Sequence, residues 1–303
     1  MGTFDNPNID TRIRYFTYYP ANIYPQVSLA VYFVVAAILV FLTIRTKAQR
    51  WLYILAGTAF AEGLGYVFRT VCVNHTTFAM YVLMTLFLLL PPNALALANY
   101  KTTGKIISNA TSVRPKFFWL KPKFVSWFYF SSDIFSIIMQ GAGGGMMTTS
   151  KGRDAGKKIV LVGLIVQLFF FACYMATTIY VWKRPIYQVH TGPRDKSPRA
   201  AKNKVMIVVI LTTVLLYLRS IYRIAEFADG YGGKIYSSEW AFYVFDTILI
   251  FLAFVVYIVA FIGRNFPRNA PPLDNGDESY ASSETANPQR IHNASSAQLV
   301  EKL

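Results

Sequence analysis

Pairs of polar side chains seven residues apart recur within four otherwise apolar stretches of the sequence. The pairs are Glu62 with Arg69, Asp133 with Gln140, Arg219 with Glu226, and Glu239 with Asp246. Residues at this spacing lie on the same face of an α-helix. Arg223 lies on the same face as Arg219 and Glu226, and Gln167 adds an amide to a fifth stretch. Carboxylates and guanidinium groups on facing helices can form ion pairs, or bind the charged head of an amphipathic molecule.

The apolar surroundings of these charges restrict where they can lie. At the centre of a bilayer an Arg or Asp side chain costs about 3 kcal/mol, so each charge should face the helix bundle and find a partner there. A rise of about 1.5 Å per residue places both Arg219 and Asp246 roughly 10 Å below the outer membrane surface. We therefore predict that Arg219 pairs with Asp246, with Glu62 as the competing partner.

Two interpretations of the whole polar set stay open at this point. The residues could only fix the register of the helices, since buried ion pairs can do this without binding a ligand. Alternatively they could line a cavity that opens to the outer leaflet of the membrane. The number of charges favours the cavity for the set as a whole.

Glycine and proline residues in the same stretches influence how the helices pack. Gly143, Gly144 and Gly145 close the fourth stretch, and glycine allows a ligand or a neighbouring helix to approach the backbone closely. The competing interpretation of this glycine run is a frayed helix end. Pro91–Pro92 should kink the third apolar helix, where Asn93 could satisfy a backbone group that the prolines leave free.

Seven apolar windows long enough to cross a membrane account for most of the 303 residues. They lie near residues 26–44, 51–71, 77–99, 124–145, 159–182, 205–226 and 239–263. The predicted fold class is therefore an all-α membrane protein, a seven-transmembrane helix bundle. We expect an extracellular N-terminal segment at 1–25, a transmembrane domain at 26–264 and a disordered cytosolic tail at 265–303.

The distribution of basic residues predicts the direction of insertion. The loops after the first, third and fifth windows contain 16 Lys and Arg residues, whereas the other three loops contain 5. The positive-inside rule therefore places the N-terminus outside and the C-terminus in the cytosol. This asymmetry also accounts for the net charge of +15, since the basic face would lie against anionic lipid of the bilayer. Binding to nucleic acid is not expected.

Motifs for several common kinds of chemistry are missing from the sequence. "GRDAGKK" at 152–158 only approximates a phosphate-binding loop, so hydrolysis of ATP is not expected. All three histidines fall in predicted loops or in the tail, which disfavours a metal site within the bundle. The seventh window contains no lysine that could form a retinal Schiff base. We therefore expect neither an enzyme nor a bound metal or cofactor.

Several motifs occur in the order typical of one known family. They are "EGLGYVFR" at 62–69, "DIFSIIMQGAGGG" at 133–145, "GLIVQLFFF" at 163–171, and the segment from "RSIYRIAEF" at 219–227 to "YVFD" at 243–246. From about residue 18 to about residue 264 the sequence resembles the fungal lipid-translocating exporter family, also called RTA-like or resistance-to-aminocholesterol proteins. The resemblance implies a seven-span fungal protein of the plasma membrane. It also implies links to export of sphingoid long-chain bases, resistance to sterol-like or azole compounds, and porphyrin handling.

Together, the charges and the resemblance predict a function in lipid handling. We expect a protein that binds, and translocates or exports, amphipathic lipids like sphingoid bases or lipid-like toxic compounds, and so confers stress resistance. Glu62, Asp246 and Glu226 would receive a cationic amine, while Arg219 and Arg223 keep those carboxylates charged or contact a phosphate. The alternative is a seven-span, receptor-like sensor whose bound lipid shifts the cytosolic loops. The candidate ligand-binding or transport residues are Glu62, Arg69, Asp133, Gln140, Gln167, Arg219, Arg223, Glu226, Glu239 and Asp246.

The predicted orientation can be tested with terminal tags. A peptide tag added after Leu303 should not react with a membrane-impermeant reagent on intact cells, whereas the same tag placed before Met1 should react. Permeabilised cells provide the control, because both tags should react there. Labelling of the C-terminal tag on intact cells would overturn the orientation.

Overall fold

The long helices of the structure follow the apolar windows of the sequence. The computed structural model describes residue 16 and residues 18–109, 121–147, 152–230 and 233–269. Within these residues we number the seven long helices in chain order. They are α1 (Ile23–Arg45), α2 (Tyr53–Asn74), α3 (Phe78–Asn109), α4 (Pro122–Met147), α5 (Arg153–Lys183), α6 (Pro198–Asp229) and α7 (Glu239–Val259).

Six of these helices are long and apolar enough to cross a membrane, which confirms the prediction of a multi-pass helical membrane protein. Among the described residues, α4 is the long helix that is not one of the six, although it contains 26 residues. Asp133, Gln140 and several serines and glycines make α4 less apolar than its neighbours. The seventh span and the orientation of the termini therefore stay predictions.

Consecutive helices pack side by side through the bundle. Each helix packs on its successor, from α1 on α2 through to α6 on α7. In addition, α7 contacts α1, and α3 contacts α6. Large apolar side chains such as Val34, Phe135 and Ile207 are exposed on the outside, as expected for a surface that faces lipid. These contacts bring α2, α6 and α7, which carry most of the predicted charges, close together inside the bundle.

Two helices extend further than their apolar windows on the side predicted to be cytosolic. α3 continues to Asn109, past the window limit of 99, and α6 begins at Pro198 instead of residue 205. Ser197 caps α6 by accepting a hydrogen bond from the backbone N–H of Ala200 at 3.2 Å, and Pro198 occupies the first turn. A hydropathy window detects only the apolar part of a helix, so these polar continuations were not predicted.

The glycine run at the end of α4 packs differently from the prediction. A Cβ atom on Gly143 would lie 2.6 Å from the backbone oxygen of Gly156 and 2.7 Å from a methyl carbon of Val160, so α4 and α5 approach too closely there for a side chain. For Gly144 and Gly145, no described atom lies within 4 Å of such a Cβ. Within the described residues, Gly143 is therefore the glycine of the run at which α4 and α5 pack closely, because successive helical residues face about 100° apart.

The chain beyond α7 packs on the turn between α1 and α2. A short 3-10 helix, Ile262–Asn265, precedes an isolated bridge between Ala48 and Pro267. The backbone N–H of Gln49 donates to the carbonyl of Phe266 at 3.0 Å. The packed chain therefore continues past the predicted domain boundary at 264. The rest of the predicted tail, and most of the predicted N-terminal segment, lie outside the described residues.

Two neighbouring glycines provide a matched test of this packing. Gly143→Leu should lower the abundance and the melting temperature of the purified protein, because its side chain would overlap the backbone of α5 at a cost of about 1 to 3 kcal/mol. Gly144→Leu should change both much less, because that position is open. Size-exclusion chromatography and thermal unfolding in detergent measure the two variants. Equal losses would contradict the close approach of α4 and α5.

Candidate functional site

Asp246 of α7 pairs with two arginines of α6. The Nε of Arg219 lies 2.7 Å from its Oδ1. The Nε of Arg223 donates to Oδ1 at 3.0 Å and its Nη2 donates to Oδ2 at 2.7 Å. Asp246 is fully buried, and Arg219 is only 3% exposed. The predicted pair of Arg219 with Asp246 is therefore confirmed, and Arg223 is a second partner that sequence reasoning did not assign.

Asp246 lies in an irregular part of α7. Residues Tyr243–Ile248 form a π-helical turn, an uncommon feature that often occurs at functional sites. Such a turn holds more residues than a regular one, so it changes the direction of the side chains around it. Tyr32 of α1 donates to the carbonyl oxygen of Thr247 at 2.7 Å, and the hydroxyl of Tyr66 of α2 lies 2.6 Å from Thr247 Oγ1. Two neighbouring helices thus hold the irregular turn in place.

Arg219 also compensates for a proline in α3. Pro92 lacks an N–H, so the carbonyl of Leu88, four residues earlier, has no backbone donor within the helix. Arg219 donates to this carbonyl oxygen from Nη2 at 3.2 Å. Asn93 donates instead to the carbonyl of Leu89 at 3.0 Å, which the prolines do not leave free. The prediction for Asn93 is therefore wrong, and Arg219 takes that role because its long side chain reaches across from α6.

Glu226 completes a group of four charges. The Nη1 of Arg223 donates to Glu226 Oε2 at 3.0 Å, three residues further along α6. Arg219, Arg223, Asp246 and Glu226 thus carry two positive and two negative formal charges, and each has a partner of opposite sign. We call these four residues the balanced cluster. Their balance is important because an uncompensated charge inside an apolar bundle costs several kcal/mol.

Arg69 and Glu239 form a second ion pair at the N-terminal end of α7. The Nη2 of Arg69 lies 3.6 Å from Glu239 Oε1. Glu239 also accepts a hydrogen bond from the backbone N–H of Ala21 at 3.1 Å, which connects the segment before α1 to the start of α7. Arg69 donates to the hydroxyl of Tyr18 at 2.8 Å and to that of Tyr243 at 3.1 Å. Burial raises the pKa of Tyr18, so its hydroxyl stays neutral and accepts from Arg69.

One aromatic ring connects the second pair to the balanced cluster. The guanidinium carbon of Arg69 lies 4.4 Å from the ring centre of Phe242, and that of Arg223 lies 5.5 Å from the same ring. Cations at such distances are attracted to the ring face. The aromatic residues were not among the predicted site residues. The signal for them was present, since aromatic letters separate the charges in both "EGLGYVFR" and "EWAFYVFD".

Glu62 lies beside the balanced cluster without joining it. Its side chain is fully buried in α2, and neither carboxyl oxygen has a hydrogen bond within the described part of the chain. Asp246, Arg219 and Arg223 all lie within electrostatic range of Glu62. Because Asp246 already engages both arginines, the competing role predicted for Glu62 is not realised. A buried polar group without a partner is rare, since its desolvation is not offset by a hydrogen bond.

The predicted polar residues of α4 and α5 lie apart from the balanced cluster. Gln140 donates to Gln167 Oε1 at 3.1 Å, and Gln167 donates in turn to Asn93 Oδ1. Asp133 is buried beside the hydroxyl of Tyr100. Across the described ranges, no hydrogen bond or ion pair joins these groups to the balanced cluster. In this structure they connect α3, α4 and α5 to one another.

The charged groups are covered in this structure. Glu62 and Asp246 are fully buried, and Glu226 is only 8% exposed. The predicted cavity open to the outer leaflet is therefore closed at these residues. A groove of about 430 Å³ lies instead between α1 and α7. Its lining side chains are all apolar: Ala30, Val31, Val34, Val35, Ile38, Phe251, Val255 and Ile258.

Recognition of an ion is the chemistry that this arrangement supports. Across the ranges that the structure describes, no three His, Cys, Asp or Glu side chains are placed to hold a metal ion. The polar groups near the balanced cluster are acids, guanidinium groups and phenols. Such groups bind a charged head group by charge-assisted hydrogen bonds.

The fold and the ion pairs define a multi-pass helical membrane protein with a charged cluster buried inside its bundle. Residues 54–269 match the model of a family described as RTA1 like protein. The chain therefore belongs to the RTA1-like family, which confirms the resemblance in its motifs. The matched region contains Glu62 and all four residues of the balanced cluster.

Three relatives from Saccharomyces cerevisiae show how far the similarity extends. Protein RTA1 is 31% identical over 67% of this chain and 62% of its own length. Protoporphyrin uptake protein 1 is 28% identical over 68% of this chain and 67% of its own length. Sphingoid long-chain base transporter RSB1 is 24% identical over 69% of this chain and 64% of its own length. No solved structure matches this chain.

Because Arg219 and Arg223 share the carboxylate of Asp246, removing the acid should destabilise the protein more than removing one arginine. Asp246→Leu should be the more damaging change, because it leaves Arg219 buried without an acid, at a cost of about 3 to 5 kcal/mol. Arg219→Leu should cost less, because Arg223 still holds Asp246 through two hydrogen bonds. Protein abundance in membranes and thermal unfolding in detergent compare the two variants. A larger loss for Arg219→Leu would contradict the shared pairing.

Proposed function

We propose that this protein binds amphipathic, lipid-like compounds and moves them across the plasma membrane, which protects the cell from them. In this proposal all seven long helices of the described ranges cross the bilayer, with the N-terminus outside. The observation that carries the proposal is Glu62, a fully buried acid beside the balanced cluster with no hydrogen bond from the described residues. An amphipathic cation would supply the partner that the described chain does not.

Glu62 is better suited to a cationic head group than the other two acids first considered. Asp246 holds Arg219 and Arg223, and Glu226 holds Arg223. An amine would have to displace a guanidinium group to reach either acid. At Glu62 an ammonium group could donate charge-assisted hydrogen bonds, which are roughly twice as strong as neutral ones. The preferred head group is therefore an amine.

The groove between α1 and α7 suits the apolar part of the same molecule. The side chains that line it are all apolar, five from α1 and three from α7. Tyr32 of α1 does not line the groove but is buried, and it stacks on Tyr66 with their ring centres 5.4 Å apart. Both tyrosines lie within electrostatic range of Glu62. An apolar chain in the groove would therefore lie against α1, whose buried side carries Tyr32.

The names of two relatives support an amphipathic cargo, and one of them supports an amine. One is a sphingoid long-chain base transporter and the other is a protoporphyrin uptake protein. A sphingoid base joins a cationic amine to an apolar chain, so its two parts match the acid and the groove. Long-chain amines are therefore the first compounds to test.

A transport assay with reconstituted protein tests the proposal. Vesicles that contain the purified full chain should move a fluorescent sphingosine analogue between leaflets faster than protein-free vesicles. Glu62→Gln should slow this movement about tenfold, equivalent to about 1.4 kcal/mol, because an amide cannot supply the charge that holds the ammonium group. Glu301→Gln, beyond the described residues, is the matched control and should leave the rate unchanged.

The same assay separates a transporter from a sensor. A sensor would bind the analogue without moving it faster than protein-free vesicles do. That result would favour the receptor-like alternative, and absence of both binding and movement would contradict the proposal.

A further inference from the structure

The balanced cluster leaves no positive charge for Glu62. Its two guanidinium groups are matched by its own two carboxylates. The next cation, Arg69, is matched by Glu239. The four charges of the balanced cluster already sum to zero. A carboxylate at Glu62 would therefore leave the buried site with a net charge of −1. Because Glu62 is fully buried, water cannot offset that charge.

The groups that interact electrostatically with Glu62 come from four helices. They are Tyr32 on α1, Tyr66 on α2, Arg219 and Arg223 on α6, and Asp246 on α7. The last three belong to the balanced cluster and hold one another by direct contacts. The two phenols carry no charge at physiological pH. Glu62 can therefore lose its excess charge only by holding a proton or by gaining a cation.

We propose that Glu62 is a proton-exchange site, at which a proton and a cationic amine bind in alternation. The inference rests on the proposed function, because it takes the amine as the cargo. In the empty, closed state Glu62 is a neutral carboxylic acid, which is far less costly to bury than a carboxylate. In the loaded state it is a carboxylate with the ammonium group as its counter-ion. The buried site is neutral in both states.

The exchange conserves charge and atoms. When a protonated amine enters, the O–H bond of the Glu62 carboxylic acid breaks and the proton passes to water. The carboxylate that results accepts hydrogen bonds from the ammonium group. No electron is transferred, and one proton leaves for each cation bound. When the pH outside is lower than in the cytosol, a proton that enters from the outer side would protonate Glu62 and release the amine there. Inward flow of protons would thus drive outward movement of the amine.

Proton release on binding is the first measurement. The purified full chain in detergent is titrated with dodecylamine at pH 7 in buffers of different ionisation enthalpy, and the buffer dependence of the heat gives the number of protons released. The free amine is already protonated at this pH and releases none itself. About one proton should leave for each amine bound to the native chain. Binding without proton release would overturn the exchange and leave the proposed function standing.

Infrared spectroscopy of the unliganded protein is the second measurement. At neutral pH the native chain should show the C=O absorption of a protonated carboxylic acid that Glu62→Gln removes and Glu62→Asp retains. Asp133→Asn, at a buried acid on α4, should not remove it. Thermal unfolding verifies that each variant is folded.

The two measurements distinguish the possible failures. Absence of the Glu62 signal from the native chain would overturn the proton site, whether or not dodecylamine binds. A clear Glu62 signal with no binding of dodecylamine would count against the amine as cargo, and so against the proposed function. A signal that disappears when dodecylamine binds would support both.

Discussion

One buried carboxylate shared by two guanidinium groups is the interaction on which the other features of the site depend. Asp246 is removed from solvent and is held by both Arg219 and Arg223. Its charge would be very costly in an apolar bundle without these partners, so α6 and α7 must keep matching depth and register. The π-helical turn and the tyrosines that hold it serve the same pairing, because they orient Asp246 within α7.

The same ion pairs explain why one acid is left without a partner. Arg219 contacts Asp246 on one side and the Leu88 carbonyl, left free by Pro92, on the other. Each guanidinium nitrogen of Arg223 is engaged by Asp246 or Glu226. The two arginines of α6 therefore bond to a backbone carbonyl of α3 and to the carboxylate of α7, and they form no hydrogen bond with Glu62 on α2. A ligand for this bundle would meet a closed, neutral set of charges with a single acid beside it.

Part of this arrangement could be predicted from the sequence, for identifiable reasons. A buried charge needs a partner in any helix bundle, and the rise per residue gives its depth. These two rules together predicted that Arg219 pairs with Asp246, which lies at the same depth. The second partner, Arg223, was missed because it lies about one helical turn, roughly 6 Å, from the matched depth, and depth alone does not account for the reach of an arginine side chain. The member of the glycine run that contacts α5 depends on the rotation of α4, which spacing does not determine. The reach of Arg219 to α3, in place of Asn93, depends likewise on tertiary packing.

A structure with an amine bound would test most directly whether Glu62 is the free acid of the site. Electron cryo-microscopy of the full chain in lipid nanodiscs, saturated with sphingosine, should show the amine within hydrogen-bond distance of the Glu62 carboxyl group. Arg219 and Arg223 should remain on Asp246, as they are in the closed structure. An amine bound to Asp246, with either arginine displaced, would contradict the view that the cluster is balanced and Glu62 is its unpaired neighbour.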